Sequence, residues 1–283
     1  MWGIILLVVL GAIALGLWGV FRFEHKQVFR PSRMIESTPD RYGISFEDVV
    51  FKADDGTELH GWWIPCENAV GTVLYCHGNA GNIGTREWWF HDLKRLPVNL
   101  FLFDYRGYGN SRGKPSERGL HLDALAAWDE VARRHNDTRN PPIVLHGISL
   151  GGGVASRLAT QRPVRGVVLQ STFTSIPDMS LELYPNLPLD RLSRHHFRNK
   201  DTVPKITCPI LFAHSEADDL IPYHMGKTLY DTATTNQKRF FDLNGNHVDA
   251  GWNNTPGYWD TLSLFILDCI KNGSPFSSPG DPS

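Results

Sequence analysis

The pentapeptide Gly147-Ile148-Ser149-Leu150-Gly151 constrains this chain more than any other stretch. It follows the apolar run Ile143-Val144-Leu145 and continues into Gly152-Gly153-Val154-Ala155. A short apolar run that ends in glycine reads as a buried strand, and the stretch from Gly151 to Gln161 reads as a helix. One serine therefore stands at a strand-to-helix turn. Glycine two residues before it and two after it suits a turn in which neighbouring backbone comes too close for a Cβ. Such a turn holds the serine in a strained conformation and presents its hydroxyl at a helix N-terminus, where negative charge is favoured.

The rest of the body alternates strand and helix. FEDVVFKADDG and TELHGWWIP read as two strands joined by a turn at Asp54-Asp55-Gly56. GTVLYCHG and VNLFLFDY read as buried strands, and PPIVLHG, RGVVLQS, CPILFAH and KRFFDLN as four more strands. Helical spacing occupies about 84–95, 116–135 (with Ser116 as N-cap), 222–234 and 256–271. This order predicts an α/β fold with a mostly parallel eight-stranded sheet and helices on both faces. Chemistry in such sheets sits beyond the carboxyl ends of the strands.

A serine hydroxyl is a weak nucleophile and needs a base. In this strand-turn-helix context the partners follow in the order serine, acid, histidine. Of twelve histidines, His247 is the one on a loop beyond the acid and near the end of the sheet. The acid is expected after CPILFAH, where Glu216, Asp218 and Asp219 are all available. An oxyanion would be held by the backbone N–H of Leu150 and by one from the loop HGNAGN, at Asn79. His77 reads as a brace of that loop.

The motifs HGNAGN, DYRGYGNSRGKPSERGL, HGISLGGGVA, HSEADDLIP and NGNHVD stand in the order and spacing of the α/β-hydrolases, which the chain resembles over residues 44–271. Within that superfamily it resembles the bud-emergence-type abhydrolase-domain proteins, which are commonly anchored to membranes at the N-terminus. The resemblance implies Ser149 as nucleophile, Asp218 as acid and His247 as base. It also marks Asp104-Tyr105-Arg106 as a structural loop, in which an Asp104–Arg106 pair is expected. Ser215 departs from the family, which often has glycine there.

Residues 2–21 carry no charge. As a helix they would span about 30 Å, the thickness of a bilayer's hydrocarbon. The reading is an uncleaved anchor over 1–22, a juxtamembrane linker over 23–43, a hydrolase domain over 44–272 and a disordered tail over 273–283. Arg22, Lys26, Arg30 and Arg33 follow the span, which places the domain in the cytoplasm. Residues 172–200 form the longest insertion and read as a short lid, with Phe173, Met179 and Leu183 lining a substrate pocket.

A net charge of −2 and the lack of a basic tract exclude an electrostatic nucleic-acid surface. The four cysteines, lacking a CxxC pair, read as buried free thiols. No metal and no cofactor is expected. These observations together predict a membrane-anchored serine hydrolase cleaving carboxylic esters or thioesters through an acyl-enzyme, on a small-molecule or lipid acyl substrate. A serine peptidase of the same fold and a non-catalytic scaffold remain as alternatives, because residue types alone do not separate them.

Overall fold

The computed structural model describes residues 2–135, 139–251 and 253–272. The tail expected at 273–283 lies outside them. Eight strands form one sheet: β1 (Glu47–Lys52), β2 (Glu58–Ile64), β3 (Thr72–Cys76), β4 (Asn99–Asp104), β5 (Ile143–Ile148), β6 (Gly166–Gln170), β7 (Ile210–Ser215) and β8 (Lys238–Leu243). Their spatial order is β8-β7-β6-β5-β3-β4-β2-β1. β3 through β8 pair in parallel, and β2 pairs antiparallel with both β4 and β1. The sheet is thus mostly parallel, as the alternation of the sequence predicts.

Period-two alternation divides the core into two layers. Leu74 and Cys76 of β3, Phe101 and Phe103 of β4, and Leu145 of β5 face one side. There they pack against α3 (Glu117–Arg134), α4 (Leu150–Ala159) and α8 (Tyr223–Thr232) through residues such as Trp128, Val154 and Leu229. Val73 and Tyr75, Leu100 and Leu102, and Val144 face the other side. Their partners are α2 (Glu87–Leu93) and α9 (Tyr258–Asn272), through Trp89, Phe90, Leu262 and Ile266. Ser116 caps α3 by accepting the Gly119 N–H at 3.1 Å. All four cysteines are free; Cys76 and Cys269 are buried, while Cys66 and Cys208 keep some exposure.

The N-terminal helix α1 runs from Trp2 to Val28 and is long and apolar enough to cross a membrane. It continues six residues past the boundary at 22 drawn from the sequence. Residues 23–43 are a linker only in chain position. Val28 and Phe29 are buried in the core, and Arg30–Pro31 pairs in parallel with Ala80–Gly81. The charges that end the apolar run stop the span without stopping the helix, because Arg, Glu, Lys and Gln are all good helix formers. The insertion over 172–200 contains α5 (Ile176–Leu183) and α6 (Leu189–Leu192), and α7 (Asn199–Thr202) begins at its end.

Candidate active site

β5 ends at Ile148 and α4 begins at Leu150, so the whole turn is Ser149. Its φ of 55° and ψ of −118° lie in a region that a side-chain-bearing residue occupies only under constraint. The constraint is visible. The Ser149 N–H donates to Gln170 O at 3.0 Å, and the Ser149 carbonyl accepts from Thr172 Oγ1 at 2.7 Å and Gly152 N at 3.0 Å. A Cβ at Gly147 would stand 2.5 Å from Gly151 O, and one at Gly151 would overlap Cys76 O. Both glycines are there for space. The motif is a consequence of strand β3, loop and helix α4 meeting at one point.

His247 lies on the loop after β8 and Asp218 on the loop after β7. Asp218 Oδ2 is 2.8 Å from His247 Nδ1, and His247 Nε2 is 3.2 Å from Ser149 Oγ. A carboxylate only accepts, so Nδ1 is the ring donor and Nε2 is left to accept the serine hydroxyl. Asp219, the rival acid, accepts the backbone N–H of His247 at 3.0 Å and so holds the loop while Asp218 holds the ring.

The Asp218 side chain is fully buried. Burial alone would raise its pKa. Hydrogen bonds from His214 and His247, the charge of His247 and the Ile221 N–H outweigh burial and hold the carboxyl well below the usual range. Leu220 N and Ile221 N both donate to Oδ1, at 3.0 and 2.8 Å. His214 Nε2 sits 3.3 Å from Asp218 Oδ2 and 2.9 Å from Ile221 O, tying the acid to its own loop. The sequence reading passed over His214. Its position as the penultimate residue of β7, four before the acid, is the signal that could have pointed to it.

Leu150 N is the first helical N–H of α4 and has no partner within the helix by geometry. Asn79 lines the same cavity as Ser149 and Leu150. Its carbonyl accepts from Arg30 N at 3.0 Å and Tyr108 Oη at 2.9 Å, and its side-chain amide donates to Gln27 O at 3.1 Å. These contacts hold the Asn79 residue in the wall of the cavity that Ser149 also lines. His77 Nδ1 bonds Gly78 O at 2.7 Å, and its carbonyl accepts from Tyr105 Oη. The expected Asp104–Arg106 pair does not form. Arg106 instead binds Asp123 at 2.8 Å and Asp55 at 2.6 Å, because its side chain turns toward α3 while Asp104 turns inward to the Ile83 N–H.

Phe173, Met179 and Leu183 all line the cavity over Ser149. The opposite wall is the surprise: Val20, Phe23, Glu24, Gln27 and Val28 of α1. Those positions recur at helical spacing, which is the sequence signal that one face of the helix stays packed after the apolar run ends.

The sequence model of the alpha/beta hydrolase family matches residues 73–279. The uncharacterized protein YfhR of Salmonella typhi is 41% identical over 225 residues, covering 72% of this chain and 75% of that protein. An uncharacterized membrane protein of Saccharomyces cerevisiae is 32% identical, covering 88% of this chain and 90% of its own. Among solved structures, the esterase Pf2001 of Pyrococcus furiosus superposes with a TM-score of 0.67 at 21% identity, covering 84% of this chain and 98% of that one. At that identity the likeness is one of fold.

Proposed function

We propose, for a chain that belongs to the alpha/beta hydrolase family, that it is a membrane-anchored serine hydrolase cleaving carboxylic ester or thioester bonds. The observation that carries the reading is the line of hydrogen bonds from Asp218 through His247 to a serine held at positive φ. Ser149 Oγ attacks the acyl carbonyl, and its proton passes to His247 Nε2. The carbonyl oxygen becomes an oxyanion and takes hydrogen bonds from the N–H groups of Leu150 and Asn79. Each such donor contributes on the order of 3 kcal/mol of transition-state stabilisation.

Collapse of the tetrahedral species breaks the bond to the leaving alcohol or thiol, which departs with the proton from His247. Water then attacks the acyl-serine. It gives one proton to His247, which returns it to Ser149 Oγ as the carboxylic acid leaves. Asp218 holds the ring tautomer throughout and stabilises the imidazolium in each step.

The anchor is supported by the apolar length of α1, its exposure and the membrane protein among the relatives. The basic residues Arg22, Lys26, Arg30 and Arg33 that follow the span favour a cytoplasmic domain. Protease added to intact cells or spheroplasts should leave that domain uncut.

The test of the chemistry is covalent labelling of the full chain with a fluorophosphonate probe, beside Ser149→Ala. Wild type should label and the variant should not. A folded wild type that stays unlabelled would sink the hydrolase reading. Label that persists in Ser149→Ala would move the nucleophile elsewhere. Turnover of a panel of esters and thioesters then ranks the two bond classes.

A further inference from the structure

We propose that the last two and a half turns of α1 form one wall of an acyl pocket that opens at the bilayer surface, so that the substrate is a membrane-resident acyl chain entering sideways along α1. The chemistry of that substrate rests on the serine-hydrolase reading; the geometry of the opening does not.

The cavity over Ser149 lies between two walls that are mostly apolar, with Glu24 and Gln27 as the polar members on the α1 side. One is the lid, through Phe173, Ile176, Met179 and Leu183. The other is α1, through Val20, Phe23 and Val28. α1 is bound firmly to what it faces. The Glu24 carboxylate accepts from Ser193 Oγ and from the N–H groups of Arg194 and His195 at 3.0 and 3.2 Å, joining the helix to the end of the lid. Gln27 O accepts from the side chain of Asn79, and Arg30 N donates to Asn79 O. The segment that leaves the membrane is therefore bonded to the same residue that is read as the second oxyanion donor.

The height of the opening follows from the helix rise. Arg22 is the first charge after the apolar run. Val20 and Phe23 lie within one turn of it, about 3 Å on one side and 1.5 Å on the other. That level is the boundary between hydrocarbon and headgroups. Cations and aromatic rings cluster there: Arg22 stands 5.1 Å over Trp18, and Arg194 stands 3.5 Å over Phe21.

The cavity residues nearest the rim are apolar yet exposed, Phe23 at 41%, Leu183 at 47% and Leu220 at 41%. In water such a rim would be costly. Against a bilayer that α1 already enters, it is the continuation of a buried apolar surface. A chain sliding from the bilayer along α1 would meet Val20 and Phe23 first and Ser149 last.

The experiment uses full-length protein in phosphatidylcholine vesicles that contain a phosphatidylcholine with a photoreactive diazirine in its acyl chain. Adduct mapping should find cross-links at 20–28 and around Leu183 and Leu220, beyond the span itself. In parallel, hydrolysis of a hexadecanoyl thioester in the vesicles is compared with an acetyl thioester of the same leaving group. Val20→Trp and Leu183→Asp should each lower the long-to-short ratio at least tenfold. Adducts confined to residues 2–19, or a ratio that neither variant moves, would overturn the proposal. If wild type turns over neither thioester and takes no fluorophosphonate, the hydrolase reading fails by itself. The cross-link map, which needs no turnover and no variant, then still decides where the cavity opens.

Discussion

Two histidines each face a buried aspartate at the carboxyl ends of the strands, and the two pairs behave oppositely. His247 and Asp218 meet at 2.8 Å, and the carboxyl is held in its charged form. His77 and Asp104 lie 3.5 Å apart, and burial pushes Asp104 up to about 7 and His77 down to about 3. Both carboxyls are out of solvent, although Asp104 is buried as a whole residue and Asp218 in its side chain alone. The count of donors differs as well. Asp218 receives Leu220 N, Ile221 N, His247 and His214. Asp104 receives Ile83 N on Oδ1, while Oδ2 faces Gly109 with no hydrogen-bond partner. A carboxylate deprived of water stays ionised only where other donors replace the water. The same two residue types thus give a charged, hydrogen-bonded pair at one site and a neutral brace at the other.

The comparison breaks most sharply at Asp218. Asp218→Asn should lower kcat on the order of 10⁴-fold, the scale expected when a triad acid becomes an amide and the ring takes the wrong tautomer. KM should move far less. A kcat loss below tenfold would mean that Asp219 can serve as the acid. Removing one donor should do less. His214→Ala should lower kcat about tenfold and destabilise the fold by about 2–3 kcal/mol, since a buried ring and its bond to Ile221 O are both lost. His214→Gln, which keeps an N–H donor, should recover part of each loss in a denaturation midpoint and a steady-state assay.

Most of the frame was legible in the sequence, and for a physical reason. The strands β3 to β7 are buried on both faces, so each appears as a nearly unbroken apolar run, and the tight turn at Ser149 leaves no room for side chains at Gly147 and Gly151. Local constraints of that kind leave local patterns. His247 was legible through its place after the last strand, whereas the loop after β7 offers Glu216, Asp218 and Asp219 alike, and only the family resemblance singled out Asp218. What stayed hidden depends on contacts between segments far apart in the chain. Glu24 and His195 are joined across 171 positions, and nothing near either announces the other. Arg106 was paired with the wrong aspartate because Asp104 is its neighbour in sequence, whereas its partners Asp123 and Asp55 come from α3 and the β1–β2 turn. Proximity along the chain is a poor guide to ion pairs when a buried carboxyl has an N–H to accept instead.

The neutral pair offers the more delicate test, through the pH dependence of stability. His77, and His146 with a value of about 4, are buried as neutral rings with burial as the main cause. Their folded values lie below the 6.5 of a free imidazole, so the stability they contribute is complete above pH 6.5 and is lost as pH falls toward about 4. For one such ring the loss is on the order of 1.4 kcal/mol per pH unit inside that window. Urea midpoints should therefore fall between pH 6.5 and 4.5.

Asp104 works in the other direction. Its folded value of about 7 lies above the ordinary 3.8, so the folded protein keeps a proton that the unfolded chain has released. This favours folding in acid, and the advantage disappears as pH rises from about 4 to about 7. An amide does not titrate, and its oxygen can still accept the Ile83 N–H. Asp104→Asn should thus gain stability relative to wild type as pH rises across that range, with kcat changed by less than about threefold because Asp104 touches no reacting atom. A gap between the two that stays flat with pH would mean Asp104 is ionised in the fold, and the contrast between the two pairs would then be one of distance alone.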